Sequence, residues 1–324
     1  MSAGGLRRRT ALATVTMVIG ANLPDVDAAV YLTSDASTGL EFRRGWTHGV
    51  LAMVVLPLLL TAIMVLVGGA VERARADRPR KAAPMPIRPL QLLLLSALAV
   101  WSHPLFDFLN TYGVRFLMPF SGRWFYGDAL FILDPWVWAA LGLGTAISLR
   151  RARAVPVGAG TTTVMRHVER PARLAMAAVA TYVAVMLATS TIGRTLVERE
   201  VASRGNTPAS HVMVAPEPLT PLRRRVVRDL PDHYEIGEFT WFPPRYYVSA
   251  MAIPKGLERA VVRSAAGAPA ARRFFVWSRF PFADATTQSG PVTVRLDDAR
   301  YAGPGVRSFA SVTVTLADSV TDPR

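Results

Sequence analysis

The stretch LQLLLLSALAVWSHPLFDFLNTYG, residues 90–113, decides the fold. Its first half is an apolar run of membrane-spanning character, and its second half sets His103, Asp107 and Asn110 at the end of that run. A helix needs about 20 predominantly apolar residues to cross a bilayer. A charged side chain in such a helix costs about 2.5–3.5 kcal/mol on insertion scales, so its presence points to function. On an α-helix the three polar residues are spaced i, i+4, i+7, one narrow stripe that a single ligand could touch. Pro104 lacks an amide hydrogen and predicts a bend or a fresh helical start beside them. A bland reading of the stripe is a His–Asp pair that joins two helices.

Outward from this segment, four more stretches have the length and apolarity of spans: about 10–31, 48–70, 131–149 and 172–193. The 324-residue chain is 51% hydrophobic, which is high for a soluble protein. The loop ERARADRPRKAAPMPIR, residues 72–88, carries six Lys/Arg against two acids, and the loop after Arg150 is also basic. The positive-inside rule puts both loops, and the N-terminus with Arg7, Arg8 and Arg9, in the cytoplasm. Five crossings then leave the rest of the chain extracytoplasmic. The formal net charge of +14 is accounted for by these loops and by contact with membrane lipids, so nucleic acid is not an expected partner. With no cysteine, a thiolate metal site and a disulfide framework are both excluded.

Beyond Val197 the pattern changes. HVMVAP, YYVSAMAI, RRFFVWSRF, PVTVRL and SVTVTL are rich in Val, Tyr and Phe and bounded by turn residues. These read as strands. The expected fold is a mainly α membrane protein, residues 1–194 with about five transmembrane helices, followed by a small β-rich extracytoplasmic domain, residues 195–324. FTWFPPRYYV, 239–248, reads as strand and core.

The chemistry collects at one end of the spans. ANLPDVDAA places Asp25 and Asp27 at the outer end of the first, with Pro24 just before them. RRGWTHGVL places His48 at the outer start of the second, and DALFILDPWVW places Asp128 and Asp134 at that of the fourth. Charge counting used none of these groups, yet its topology puts all of them on one side. Carboxylates with imidazoles suit Zn²⁺, Mn²⁺ or Fe²⁺. Asp25 and Asp27 face opposite ways on a helix and the same way in an extended turn, which Pro24 favours. Arg43, Arg44, Arg115 and Arg123 in the outer loops could neutralise a phosphate, or could anchor at the interface with Trp46 and Trp124. The chain has no Gly-rich phosphate loop and no G-x-S-x-G nucleophile.

NLPDVD, RRGWTH and HPLFDFLNTYGVRFLMPFSGRWFYGDALFILDP together resemble a family of membrane-bound, metal-dependent hydrolases known from a LexA-regulated inner-membrane protein. The likeness covers about residues 10–150. It implies an inner-membrane location and a divalent metal, zinc first, held by Asp25, Asp27, His48, His103 and Asp107. Members usually begin with a helix bearing Thr-His, which nothing before Arg7 supplies, and the family's histidine before Arg-Gly is Arg43 here. Either the chain starts further upstream or its site is reduced. The HxxxD grammar is more distantly similar to zinc-dependent phospholipase C.

The expected activity is hydrolysis of a lipid-linked or envelope phosphoester by metal-activated water. Asp27, Asp107 and Asn110 are the catalytic candidates, Tyr112 positions substrate, and Asp128 or Asp134 supports or caps. Two rivals are an ion-binding transporter, which would need polar residues on both sides of the membrane midplane, and a non-enzymatic envelope scaffold.

Overall fold

The computed structural model describes residues 10–76, 85–156, 162–286, 291–303 and 310–316; Arg7–Arg9 lie outside them. The chain forms two compact units, one of Met1–Val26 with Arg44–Leu187 and one of Asp27–Arg43 with Ala188–Arg324.

Four helical segments among the described residues are long and apolar enough to cross a membrane: Ala13–Leu32, Val50–Ala74, Pro89–Leu109 and Thr162–Ser203. The first is an α-helix, α1 (Ala13–Asn22), continued by a 3-10 helix over Leu23–Leu32 once Pro24 withholds its amide. A short helix α2 (Ala36–Phe42) follows, capped by the Asp35 carboxylate, which accepts from the Thr38 amide at 2.8 Å. The second and third spans are α3 (Val50–Ala74) and α4 (Pro89–Leu109). The helix α4 runs through Pro104 without a new start.

The fifth expected segment is less apolar than the others. Residues Pro135–Arg153 do form a helix, α5, but Gly142, Gly144 and the arginines at its end dilute its apolar run, and it is not among the four. It nevertheless lies antiparallel to α6 (Thr162–Ser203). Asp134, at its start, accepts from the Tyr182 hydroxyl at 3.1 Å, and Ser148, near its end, accepts from the Ala172 amide at 3.1 Å.

In the first unit, α4 packs against α1 and α3. Its buried residues Leu92, Leu95, Ser96, Ala99 and Val100 recur at helical spacing, so one stripe faces the protein. Gly20 makes the approach of α1 possible, because a Cβ there would lie 2.9 Å from that of Ala99. Small residues at such a contact let helix backbones close up where lipid gives no hydrophobic drive. The rest of the helical surface is apolar and outward-facing, as Val54, Leu58, Leu66, Leu94 and Leu98 show. Only 22% of the α3 span is buried, which is the reverse of a water-soluble core helix.

The second unit is built on an antiparallel sheet of β1 (Val212–Glu217), β2 (Thr220–Asp229), β3 (His233–Trp241) and β4 (Pro244–Pro254), in that order. A second sheet follows, of β5 (Pro281–Thr286), β6 (Thr293–Asp298) and β7 (Val312–Thr315). FTWFPPRYYV forms the β3–β4 hairpin. In chain order, helices α7 (Ala260–Ala266) and α8 (Pro269–Trp277) come between β4 and β5. RRFFVWSRF is therefore mostly helix and not a strand. Pro269 opens α8, and Ala271, Phe274 and Trp277 turn inward every third residue, a period that the aromatic run conceals.

Strand β2 was not anticipated because it reads TPLRRRVVRD. Its Arg224 and Arg228 are almost wholly buried. Arg224 donates to the hydroxyls of Ser190, at 2.8 Å, and Thr189. Arg228 donates to Glu235 and to the Thr207 carbonyl, each at 2.6 Å.

Candidate metal centre

The site forms where α1, the start of α3 and the end of α4 meet. His48 stands just before Gly49, the N-cap of α3, in a turn held by the long loop after α4: Arg115 N–H donates to the Arg44 carbonyl and Val50 N–H to that of Phe116, both at 2.9 Å. Gly113 lets that loop turn back. It has φ +86°, and a Cβ there would strike the Tyr126 ring.

His48 is fully buried, and its Nε2 lies 3.1 Å from Asp107 Oδ2. His103 Nε2 lies 3.5 Å from the same oxygen and 3.6 Å from Asp25 Oδ1. The two imidazoles meet edge to face with centroids 5.3 Å apart. Ligand atoms of Asp25, His48 and His103 fall within 4.8 Å of one another, a spacing at which one ion could touch all three.

The outer partners fix how these rings present themselves. His103 Nδ1 lies 2.7 Å from the Ala21 carbonyl. A carbonyl only accepts, so the proton of the neutral ring sits on Nδ1 and the Nε2 lone pair points inward. His48 Nδ1 is 2.9 Å from the Thr47 hydroxyl. A nitrogen lone pair and two carboxylates thus converge, and His103 Nε2 and Asp107 Oδ2 are buried without a well-formed hydrogen bond. Acceptors so arranged could hold a cation between them. The donor set, two imidazole nitrogens with carboxylate oxygen, fits a divalent ion of the zinc, manganese or iron kind.

Arg44 completes the cluster. It donates to Asp107 Oδ1 at 2.9 Å and to Asn110 Oδ1 at 3.0 Å, and its guanidinium lies 4.5 Å over the Tyr112 ring. Asn110 also accepts from the Tyr112 amide at 2.9 Å, so it ends α4 and steers Arg44 at once. The pairing of Arg44 with Asp107 was not apparent from the sequence, where Arg44 was one of four loop arginines. Of the others, Arg115 and Arg123 lie over Trp124 and Phe125, and Arg43 meets Asp27 at 3.5 Å.

Asp25 and Asp27 are not together in an extended turn. They sit two residues apart on the 3-10 helix, about 240° apart in direction at three residues per turn. Asp27 is buried and engages Arg43, while Asp25 remains partly open to solvent. Asp134 is the N-cap of α5, accepting from the amides of Trp136 and Val137 at 3.1 Å. Asp128 is fully buried at a positive φ of 49°.

Residues 1–193 match the family model described as YdjM inner membrane protein. The chain belongs to the YdjM family. That match ends inside α6, so the sheets of the second unit lie beyond the YdjM-like part. Every group of the His–Asp cluster lies within it. Neither a curated protein nor a solved structure matches the chain.

Proposed function

We propose that this YdjM-family protein is a membrane-embedded, metal-dependent hydrolase of phosphoesters. The observation that carries the reading is the convergence of Asp25, His48 and His103 within 4.8 Å. A divalent ion at this place would supply Lewis acidity and a nucleophile competent at neutral pH. Asp107 accepts from Arg44 and lies beside both imidazoles, where its charge adds to the pull on a cation. Asn110 turns Arg44 toward the site, and Asp27, tied to Arg43, steadies the turn that carries Asp25. The charges favour an anionic substrate: two carboxylates, one guanidinium and a divalent ion sum to a positive centre, and Arg44, held by Asp107 and Asn110, adds its charge there.

Purified protein should therefore contain near-stoichiometric zinc, manganese or iron by mass spectrometry and should cleave members of a phosphoester panel. A chelator should remove metal and activity together. Metal-free protein with undiminished hydrolysis would defeat the reading.

The topology that goes with it has α5 as a fifth crossing. Its 19 residues reach about 28 Å, close to the ~30 Å of a hydrocarbon core. The chain has no cysteine, so single cysteines report cleanly. Cysteine at Ser121 and at Thr240 should react with a membrane-impermeant thiol reagent in intact cells, and cysteine at Ala76 should not. Labelling at Ala76 alone would invert the arrangement.

A further inference from the structure

A cavity of about 860 Å³ opens from the His–Asp cluster and runs down one face of α5. Its head is polar, formed by Asp25, Arg44, His103, Asp107 and Asn110. Its body is not. Val137, Leu141, Thr145 and Leu149, four residues apart, make a single stripe of α5, with Gly142 and Ala146 beside it. From Val137 to Leu149 this stripe extends about 18 Å at 1.5 Å per residue, against a leaflet depth of about 15 Å, half of the hydrocarbon core. The cavity lies between α5 and the outer end of α4, which packs its own buried stripe on α1 and α3.

We propose that the occupant is a lipid carrying a phosphate ester, with its phosphate at Arg44 and the metal ligands and one acyl chain along the α5 stripe. The charge at the head is complementary to phosphate and the body to hydrocarbon. A lipid of the leaflet on the site's side enters with headgroup and chain already at the depths that the cavity offers. The head of the cavity is the centre proposed above, so the fate of the ester rests on that reading, whereas the seat of the chain rests on the cavity. Gly142 lines the trough, and a Cβ at that position meets no atom within 4 Å. A large side chain there fills space and leaves the packed helices untouched. Leu143, one residue on, is 64% exposed and serves as a control outside the trough.

The test uses the full chain in nanodiscs containing a phosphatidic acid with a photoreactive diazirine at the end of one acyl chain. Irradiation and peptide mapping should place the label on Thr145–Leu149. Gly142→Trp should lower that labelling about tenfold or more, since the methylenes of the chain lose their seat. Leu143→Trp should leave it unchanged, and both variants should keep the metal content of the wild type. Label spread evenly over lipid-facing residues, or indifferent to Gly142→Trp, overturns the proposal. Labelling in the trough without any hydrolysis supports the lipid seat and counts against the hydrolase. Equal cleavage of glycerol phosphate and of the lipid by both wild type and Gly142→Trp, with no label in the trough, keeps the hydrolase and overturns the lipid.

Discussion

Replacing His103 with alanine is expected to remove bound metal and to lower phosphoester hydrolysis by about a hundredfold or more, because one of the few ligands of the ion is lost. His48→Ala should do the same. The double variant should be scarcely worse than either, since residues that hold one ion act as a unit. Asp107→Asn separates charge from shape. It keeps one acceptor oxygen near His48 or Arg44 but removes the anion that both imidazoles and Arg44 share. It should retain the fold and lose most of the activity. His211→Ala, a change on an exposed side chain of the second unit, should leave activity within twofold, roughly the margin of an unrelated surface substitution. Full metal content and full hydrolysis in both His103→Ala and Asp107→Asn would return the stripe to a helix-packing role.

Arg300→Ala is expected to give the largest stability loss in the second unit. Asp298 and Arg300 both have fully buried side chains. The carboxylate receives Arg300 Nε and Nη2 at 2.9 Å, the Ser278 hydroxyl at 2.6 Å and the Arg279 amide at 2.8 Å. The guanidinium lies 4.7 Å over Trp277, which stacks on Tyr301. Removing one partner of such a pair leaves an uncompensated buried charge and costs about 3–5 kcal/mol. Amide hydrogen exchange across α8 and β6 should accelerate by about a hundredfold or more. Exchange at the wild-type rate would mean that water already compensates the carboxylate.

The same pair sets an acid limit. Burial opposes the charged form of Asp298, but the charge and hydrogen bonds of Arg300 and the Ser278 hydroxyl outweigh it and hold the carboxyl below its ordinary value. A depressed pKa in the folded state gives stability that is complete above the unfolded value, about 3.9, and is lost as pH falls through the folded value. Protection of α8 and β6 in the wild type should therefore decline only below about pH 4.

Apolar length was enough to mark the four helices that are long and apolar enough to cross a membrane, because a bilayer imposes one requirement on each segment separately. The His103–Asp107 stripe was equally readable, since helical spacing alone puts i and i+4 on one face. The ends of α1 and α3 could be matched to it through the charge of the basic loops, a signal that acts at the level of whole segments. Local rules failed where two patterns competed. RRFFVWSRF has the composition of a strand and the period of a helix, and burial of Ala271, Phe274 and Trp277 settled it. TPLRRRVVRD has the charge of a surface loop. Only partners distant in sequence, Ser190 and Thr207 among them, allow its arginines to lie inside a sheet. The same holds at the centre itself. That Asp107 and not Asp27 lies between the two imidazoles, that Arg44 faces it, and that α5 leaves a trough beside it are matters of distance between segments, and such distances follow from packing that no single segment encodes.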